Sequence, residues 1–543
     1  MFSSLRCLTL SLLTAGIASH AIAGISLVPR GTYHTGVFDE SAAEIVDFDP
    51  ATNQAYVVNG DSDSIDVLDV SDIDNPVLKF SIDVSAYGSP NSVTVDPRKR
   101  IREIAVAVAS DPVTDPGHVL FYTTDGTFLN SVEVGALPDM VTYSPFGFQL
   151  AVANEGESAR DEDDNPIFSE DPEGSVSLIT VFRGGKHVDA DDVTTIDFKS
   201  LNGGVPEGVR IFPQAESIAQ DLEPEYIAFS PWGNTLWVTL QEANAVAIVD
   251  AWSGELEKVV PLGTIDHSIP GFGLDASDRD DQINITNWPV KGMFMPDSIA
   301  SYSFLGKPFY ITANEGDDRE FDAVRIKDLD LDPTAFPNAD ELQENEAIGR
   351  LSASIIDGDI DNDGDFDELY TYGTRSFSIW DRKGNLVFDS GDDFETITSL
   401  LLPVDFNSSN DDNDDFDSRS DAKGPEPEAV TVGTIRGRTY AFIGLERIGG
   451  IMVYDVTNPY DPEYIEYVNT RNFEVDADTP EAGDLGPEGL KFVPAHKSPT
   501  RKPLLLVASE VSGTTTIFEI ESDRGWKWHR GFFGFVKRGW GHR

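Results

Sequence analysis

The sequence predicts an all-β protein that folds as a β-propeller, with seven blades as the expected number. The first observation is a recurring phrase of proline, an acidic residue or asparagine, and apolar residues at alternate positions, as in Pro224-Glu225 followed by Ile227 and Phe229. The second is its period: alternation at every second residue is typical of strands, and repetition at tens of residues is typical of propellers and solenoids. The third is the Gly and Asn residues between short strands, as in residues 437–456, which indicate β-meanders.

Each copy of the phrase carries a polar residue where the innermost strand of a blade would begin. Asp297 starts a weaker copy, and Glu44 starts one that lacks the leading proline. Strict alternation would put Glu225, Ile227 and Phe229 on one face of their strand. The seven polar residues are Glu44, Asn91, Asp139, Glu225, Asp297, Glu428 and Glu488.

The two ends of the propeller are predicted to meet in one blade. Residues 25–33 precede the first copy and have no blade of their own, while the last copy supplies only the strands 489–493, 503–508 and 514–520. Adding residues 25–33 as the outer strand would close the ring and hide an exposed sheet edge. An eighth blade is the alternative, formed from residues 351–355, 368–372, 377–381 and 386–389.

We therefore expect one propeller domain over residues 24–520, with long insertions between its strands. Propellers tolerate such insertions because each blade is a meander whose loops lie outside the sheet. The insertions cover residues 155–173, 266–296 and 315–375, the last with a short helical pattern at 339–347.

The N-terminal segment has the layout of a signal peptide. Arg6 precedes an apolar run over residues 7–18, and Ala21 and Ala23 form an A-x-A pattern, so residues 1–23 are expected to be removed on export. An uncleaved anchor is the alternative, but the run is short for a membrane span. The mature chain would then have no transmembrane segment and no cysteine. We expect an exported protein that is periplasmic, extracellular or associated with the cell surface.

Residues 521–543 form a basic, aromatic and glycine-rich tail in an otherwise acidic chain. A disordered tail is one interpretation. The other is a tether to the cell envelope, in which Trp and Phe lie at an interface while Arg and Lys contact phosphates. Components of the cell envelope are therefore among the expected partners.

The charge of the chain limits its partners. It has 95 acidic and 39 basic residues and a net charge of -56. Its long-range field repels polyanions, so non-specific binding to nucleic acid or to anionic membranes is excluded. The same field attracts divalent cations, and 40% hydrophobic residues indicate a globular protein despite the charge.

The starts of inner strands and the ends of second strands are expected on one rim, because the second strand returns to the side where the first begins. Many carboxylates would then meet in one funnel, and they cannot all ionise unless cations are present. We expect one or more Ca²⁺ or other divalent ions there, bound by oxygen ligands. The alternative is that each acid caps its own turn by accepting backbone N–H groups. The expected ligands are Glu44, Asp139, Glu225, Glu242, Asp297, Glu315, Glu428 and Glu488.

A second calcium site is predicted by spacing alone. Oxygen side chains at alternate positions followed by Gly364 form a DxDxDG pattern, in which glycine provides the sharp turn around one ion. The position of the final EF-hand glutamate is Tyr370, so Asp367 or Glu368 would complete the shell. The alternative is a solvated acidic turn, which is also the interpretation of residues 411–417. The candidate ligands of the loop are Asp359, Asp361, Asp363, Asp365, Asp367 and Glu368.

Arginines beside the rim offer a route to catalysis. Arg319 or Arg447 would hold a phosphate or carboxylate group next to a bound metal, although arginine amid carboxylates is more often in a structural ion pair. The sequence has no G-x-S-x-G motif, no zinc-spaced histidines and no phosphate-binding glycine loop, and His267 stands alone. A metal-activated water is then the candidate nucleophile.

Several segments together resemble the choice-of-anchor I domain family. They include SPNSVTVDP, GALPDMVTYSP, AQDLEPEYIAFSP, DAKGPEPEAVTVG and FIGLERIGGIMVYDVTNP, and the resemblance covers about residues 25–520. It implies an exported, surface-associated β-propeller. Some members of the family are labelled alkaline-phosphatase-like or esterase-like, and the PEG and PEPE phrases resemble calcium-dependent propeller phosphatases and phytases. The resemblance assigns no catalytic residue, and the chain departs from the family in having no sorting motif or hydrophobic anchor at its end.

Two functions are carried forward. The first is an exported, calcium-binding propeller that acts as a surface or extracellular binding module. The alternative is a metal-dependent phosphoesterase, acting on phosphate esters, with its site on the acidic rim. Its candidate catalytic residues are Glu225, Glu428, Glu488, Arg319 and Arg447.

Overall fold

The strands of the protein assemble into seven four-stranded antiparallel sheets, which confirms the prediction of a seven-bladed all-β propeller. The computed structural model describes residues 24–98, 100–161, 165–181, 188–319 and 322–522. The predicted signal peptide lies outside the described residues, as does the predicted tail except for its first two positions. In the described part of the chain, no helix is long and apolar enough to cross a membrane.

The blades follow one another in chain order. Blades one and two comprise Val46–Asp49, Gln54–Asn59, Ser64–Asp69 and Val77–Asp83, then Ser89–Val95, Glu103–Ala109, Pro116–Thr123 and Phe128–Ala136. Blades three and four comprise Pro138–Tyr143, Gln149–Asn154, Ser175–Thr180 and Val193–Asp197, then Ile227–Phe229, Thr235–Leu240, Ala245–Asp250 and Glu255–Pro261. Blades five and six comprise Ile299–Phe304, Lys307–Ala313, Phe377–Asp381 and Leu386–Asp389, then Pro427–Ile435, Arg438–Leu445, Ile451–Asp455 and Glu463–Val468.

Blade seven closes the ring as predicted. Its inner three strands are Pro487–Val493, Leu504–Ser509 and Thr514–Ser522, and its outer strand is Ile25–His34 from the start of the chain. Ile25 pairs with Ser522, so the first and last described strands end side by side. Of the strands proposed for an eighth blade, Phe377–Asp381 and Leu386–Asp389 belong to blade five, so no eighth blade is formed by them.

The hydrophobic core lies in the seams between neighbouring blades. The second strands of blades one, two and seven are buried along almost their whole length and are mainly Val, Ile, Leu and Ala, because another blade covers each of their faces. Separate buried clusters fill the seams from blade one to blade seven, and a further cluster joins blade seven to blade one. The seams therefore form an unbroken circle, which is the packing of a closed wheel.

The remaining elements lie in the insertions. The strands Thr264–Asp266, Lys291–Met293 and Tyr370–Thr371 form one small sheet, and Ala323–Arg325 pairs with Ser352–Ser354. The helices are short: Ile218–Asp221, Ala339–Leu342 and Asp393–Leu401, with 3-10 turns at Ala190–Asp192, Lys199–Leu201, Ile326–Asp328 and Pro480–Ala482. Residues 264–296 and 315–375 share their own buried core, built around Leu274, Ile326, Ile348 and Leu369, and we call them the insert subdomain.

The three predicted insertions lie on one side of the wheel. In a four-stranded meander, the side where the inner strand begins also holds the loop between strands two and three and the connection to the next blade. Residues 155–174 and 314–376 are loops of the first kind, and 198–226, 262–298 and 390–426 are connections of the second kind. We call this side the mouth face; the described ends of the chain, at Ile25 and Ser522, lie on the opposite face.

Candidate functional site: a carboxylate ring at the mouth of the propeller

The recurring proline phrase places its polar residue at a β-bulge. The register shifts by one residue between Pro138 and Met140 and between Pro487 and Gly489, so that Asp139 and Glu488 are the extra residues. The same shift occurs at Asn91 in blade two and Glu428 in blade six, at the start of each inner strand. A bulge bends the strand and redirects a side chain. The polar side chain of the phrase therefore does not follow the alternation of side chains between the two faces of its strand.

Blades one and four have the same local arrangement without a formal register shift. Glu225 N donates to Thr239 O at 3.3 Å, while Thr239 N donates to Tyr226 O, so two residues oppose one. Ile227 and Phe229 then pack in the seam between blades three and four. The expectation that Glu225 shares their face is wrong, because the extra residue breaks the period of two before the strand begins.

The redirected acids converge on the axis of the wheel. Burial raises the pKa of Glu488 in blade seven, and the negative charges of Glu44, of Asp297 in blade five and of Asp139 in blade three help to raise it. The charges of Asp139 and Asp297 act in the same way on Glu225. Residues from distant blades therefore face one another across the mouth. We call the six acids the carboxylate ring: Glu44, Asp139, Glu225, Asp297, Glu428 and Glu488.

Burial and mutual repulsion raise the pKa values of ring acids, so these acids ionise less readily than exposed ones. Burial raises the pKa of Glu44 to about 8, helped by the charges of Glu510 and Asp139 and opposed by a hydrogen bond from Ser41. Burial alone raises the pKa of Asp139 to about 7. The pKa of Glu428 is raised well above its usual range, first by burial and then by Glu446, Glu488 and other neighbouring acids.

Four carboxylates at the mouth have one buried oxygen that lacks a hydrogen-bond partner among the described residues. They are Glu225, Glu242, Glu428 and Glu488, and the oxygen is Oε2 in each. An acid that only capped its own turn would have both oxygens satisfied or in solvent. A buried polar atom without a hydrogen-bond partner destabilises the folded protein. These four oxygens therefore indicate a partner that is not part of the polypeptide.

A second group of polar side chains lies at the ends of the second strands, and we call it the second tier: Asn154, Glu155, Gln241, Glu242, Asn314 and Glu315. Two asparagines of this tier serve the sheets: Asn154 Nδ2 donates to Ser177 Oγ at 3.0 Å, and Asn314 Nδ2 donates to Ser378 Oγ at 2.8 Å. Gln241 Nε2 instead donates to Glu315 Oε2 at 3.0 Å. The glutamates one position later face the ring, since the charges of Glu155 and Glu242 act on Glu225. The predicted ligand Glu242 is therefore a neighbour of the ring, whereas the asparagines only tie strand two to strand three.

The predicted ligand Glu315 is a neighbour of the ring, since its charge acts on Asp297 and Glu428, and it also belongs to a network of ion pairs. One carboxylate oxygen from each of Glu315, Glu426 and Glu446 lies within 4.8 Å of the others. Lys423 Nζ lies 2.7 Å from Glu315 and 3.4 Å from Glu426, and Arg447 contacts both Glu426 and Glu446 at 3.0 Å. Burial opposes ionisation of Glu426, but the charges of Lys423, Arg447 and Arg419 lower its pKa to about 2.

Arg319 is also engaged by the protein. Its Nη1 lies 2.6 Å from Glu223 and its Nη2 lies 3.3 Å from Asp221 and donates to the Asp221 carbonyl at 2.9 Å. The E-P-E sequence occurs at 223–225 and again at 426–428. In both copies the first glutamate binds arginine and the second belongs to the ring. Sequence reasoning selected only the second glutamates and missed Glu223, Glu426 and Lys423.

The DxDxDG segment forms a tight loop in the insert subdomain. Oxygens of Asp359, Asp361 and Asp363 lie within 4.8 Å of one another, and Gly364 has φ 104. Asp359 accepts hydrogen bonds from the N–H groups of Asp363 and Gly364, each at 3.1 Å. Burial and the charges of Asp363 and Asp332 raise the pKa of Asp365 to about 6.

The two residues proposed to complete that loop differ in their surroundings. Asp367 turns back into the loop and accepts from the N–H of Ile360 at 2.9 Å. Glu368 lies 2.5 Å from Lys291 Nζ and accepts a hydrogen bond from the Tyr370 hydroxyl. Of the two, Asp367 is the better placed to serve an ion, because Glu368 already neutralises a lysine.

Two other residues considered in the sequence are buried. His267 is buried, its Nδ1 lies 2.6 Å from the Phe272 carbonyl, and burial lowers its pKa to about 4. The prediction that residues 411–417 form a solvated acidic run is wrong for Asp417, which is 2% exposed.

A narrow channel continues below the ring along the axis. It has a volume of about 260 Å³ and is lined by the inner strands, including Tyr226, Thr142 and Ser301. At its lining, Lys491 Nζ lies 2.7 Å from Asp47. Ile45, Met140 and Tyr226, each one residue beyond a ring acid, are among the lining residues, so the cavity lies next to the ring.

Comparison with known proteins gives a family and distant relatives. The profile of the choice-of-anchor I domain matches residues 44–459. Gigasin-3a of Magallana gigas is 34% identical over 191 residues, which are 33% of this chain and 66% of that protein. A mesenchyme-specific cell surface glycoprotein of Strongylocentrotus purpuratus is 26% identical over 282 residues, which are 45% of this chain and 36% of that protein. The chain thus spans less than two thirds of either relative.

Solved structures with a similar course of the chain are remote in sequence. Hydrazine synthase of Kuenenia stuttgartiensis is 13% identical, with a TM-score of 0.46 over 90% of this chain and 100% of that one. Streptogramin B lyase is 10% identical, with a TM-score of 0.44 over 92% of this chain and 98% of that one. The propeller fold is assigned from the order of the strands in the sheets and not from these TM-scores.

Proposed function

The chain belongs to the choice-of-anchor I domain family, and we propose that it is an exported surface or extracellular binding module that holds Ca²⁺ in the carboxylate ring. The observation that carries the proposal is the set of buried, unpaired Oε2 atoms of Glu225, Glu242, Glu428 and Glu488 around one mouth. The surface location is supported by the family and by the name of the sea-urchin relative, a cell surface glycoprotein.

The donor set favours a hard cation. The described ring and its neighbours offer carboxylate oxygens, and neither histidine nor cysteine is among them. Ca²⁺ takes six to eight oxygen ligands in flexible geometry, whereas zinc and copper favour nitrogen or sulfur donors. A cation would also remove the repulsion that raises the pKa values of the ring acids. A further divalent ion in the same mouth is compatible with the number of carboxylates.

The DxDxDG loop is proposed as a second, structural calcium site. Asp359, Asp361, Asp363 and Asp367 surround the loop, and the left-handed Gly364 lets the chain turn tightly around an ion. This site is in the insert subdomain, so its ion would order an insertion on the mouth face.

Calcium binding to the ring is tested by isothermal titration of metal-free protein with CaCl₂. The Glu428→Gln/Glu488→Gln variant keeps the shape of both side chains but removes two ring charges. We expect it to lose the ring site and to retain the loop site. The matched control is Glu133→Gln/Glu257→Gln, which changes two exposed glutamates on outer strands. Equal binding by all three proteins would remove the ring as a calcium site.

The alternative function is a metal-dependent phosphoesterase at the same mouth. It would use a ring ion to activate water, with Glu225, Glu428 and Glu488 as ligands and Arg447 or Arg319 on the phosphate. Both arginines already contact protein carboxylates, so a substrate would have to displace Glu446 or Glu223. We therefore place the binding module first.

The two functions are separated by an assay with p-nitrophenyl phosphate and its diester in the presence of Ca²⁺. Turnover that disappears in Glu428→Gln/Glu488→Gln and persists in the outer-strand control would establish the phosphoesterase. Calcium binding without turnover on either substrate is the expected outcome for the binding module.

A further inference from the structure

The connection between blades five and six contains a buried polar pocket that is separate from the ring. It is formed by Asp275 of the insert subdomain, Glu395 of the helix Asp393–Leu401, and Asn407, Asp417 and Ser420 of the connection. All five side chains are buried, and Asn407 and Asp417 are 0% and 2% exposed. Polar groups at this depth should be fully hydrogen-bonded.

Two oxygens in the pocket have no partner among the described residues: Asn407 Oδ1 and Asp417 Oδ2. The other atoms of the same side chains are well used. Asn407 Nδ2 donates to Glu395 Oε1 at 2.8 Å and to Ser420 Oγ at 2.9 Å, which fixes the orientation of the amide. Ser420 Oγ in turn donates to Asp417 Oδ1 at 2.5 Å. The unpaired oxygens are therefore the two free ends of one hydrogen-bonded chain.

The charge of the pocket is also unbalanced. Glu395 is paired with Arg375 Nη1 at 2.6 Å. Asp275 accepts backbone N–H groups, one of them from Asn284 at 2.5 Å, and its carboxylate forms no salt bridge in the described part of the chain. Asp417 likewise has no basic partner there. Neither buried carboxylate forms a salt bridge among the described residues, although the charge of Arg375 acts on Asp275, and a buried carboxylate without a direct cation is costly in a protein interior.

We propose that this pocket binds a hard divalent cation, Ca²⁺ in the first instance, through Asn407 Oδ1 and Asp417 Oδ2, with Asp275 balancing its charge. Oxygen-only donors, one of them a neutral amide, match calcium and exclude the metals that need nitrogen or sulfur. The raised pKa of Asp417, about 8, has burial as its main cause and Asp275 among the contributing charges, which is the condition that a bound cation relieves.

The site would order a loop that supports the mouth. Asp417 N donates to Phe406 O at 2.8 Å and Arg419 N donates to Asn407 O at 2.9 Å, so the pocket is the base of the loop 408–416. That loop carries Asn410, which donates to Glu446 and accepts from Arg447, each at 2.9 Å. A cation at the base would hold Asn410 against the charged network beside the ring.

The test is the number of tightly bound calcium ions per chain, measured by elemental analysis after gel filtration of the full-length protein. We expect Asp417→Asn to lose one ion. Asp414→Asn, an exposed change in the same loop, should lose none. Glu428→Gln/Glu488→Gln should keep the pocket ion whether or not the ring binds calcium, so the two proposals fail independently.

A measurement on the unmodified protein covers the case in which Asp417→Asn does not fold. Crystals soaked in Tb³⁺ should show an anomalous peak about 2.3–2.6 Å from Asn407 Oδ1 and Asp417 Oδ2. An unchanged ion count in Asp417→Asn, or no peak at this position, overturns the proposal. A protonated Asp417 that donates to Asn407 Oδ1 would then explain the two unpaired oxygens.

Discussion

The metal-free protein is expected to lose stability as the pH rises from 6 to 8. The ring acids have raised pKa values, with Glu44 at about 8 and Asp139 at about 7. The unfolded chain loses these protons near pH 4, whereas the folded ring keeps them until its own higher pKa. Between those limits the folded state binds more protons than the unfolded state, so the free energy of unfolding falls as the pH increases.

The size of the effect follows from the number of protons held. Each proton that only the folded state retains lowers the free energy of unfolding by about 1.4 kcal/mol per pH unit. The ring acids interact with one another and most are half-buried, so we count one proton for the whole ring rather than one for each residue. If this one proton is released with a pKa of about 8, the free energy of unfolding decreases by about 2 kcal/mol between pH 6 and 8.

The measurement is urea unfolding followed by tryptophan fluorescence, on protein freed of divalent ions by a chelating resin. His267 titrates in the opposite sense, because its pKa is lowered to about 4, but its effect is confined to pH values below about 6.5. Other buried acids contribute to the slope, so the ring is isolated by comparison with Glu428→Gln/Glu488→Gln, whose slope should be shallower. Saturating Ca²⁺ should flatten the dependence in the unmodified protein.

Two results would refute this reasoning. One is a free energy of unfolding that stays constant from pH 6 to 8 in the metal-free protein. The other is the same slope in the unmodified protein and in the ring variant, since the protons would then be held elsewhere.

Three further changes test other parts of the structure. Asp361→Ala should lower the melting temperature only when calcium is present. The expected loss is equivalent to about 2.7 kcal/mol at a hundredfold excess of ion over Kd. An equal loss of melting temperature in chelator would show that the DxDxDG loop binds no ion. Leu27→Ala in the closing strand should cost about 2–4 kcal/mol in urea unfolding because Leu27 packs between blades six and seven, and exposed Ser26→Ala serves as its control. Arg210→Ala should cost about 3–5 kcal/mol because it leaves the buried Asp322, 2.5 Å away, without its cation. Arg210→Met combined with Asp322→Asn should recover part of that loss, and a double variant no more stable than Arg210→Ala would contradict the pairing.

The blades and the ring acids could be predicted because a local rule sets them. The proline phrase marks the bulge at which the inner strands of blades two, three, six and seven begin, and the redirected polar residue is the one that follows the proline. Closure by the strand Ile25–His34 followed from counting strands and from the cost of an open sheet edge.

The rest depended on contacts between distant parts of the chain. Lys423 reaches Glu315 across more than a hundred residues of sequence, and no spacing rule connects them. Asp417 ends an acidic run whose composition is that of a solvated turn, yet the loop folds back so that this one residue is buried. The direction of Glu225 was mispredicted because the bulge that governs it is invisible to a simple count of alternating residues.

The pairing of Ile25 with Ser522 has a mechanical consequence. Both positions lie on the far side of the disc, away from the acids. A protein held at either position would therefore present the carboxylates to the surrounding medium, and a partner could reach them without passing the point of attachment.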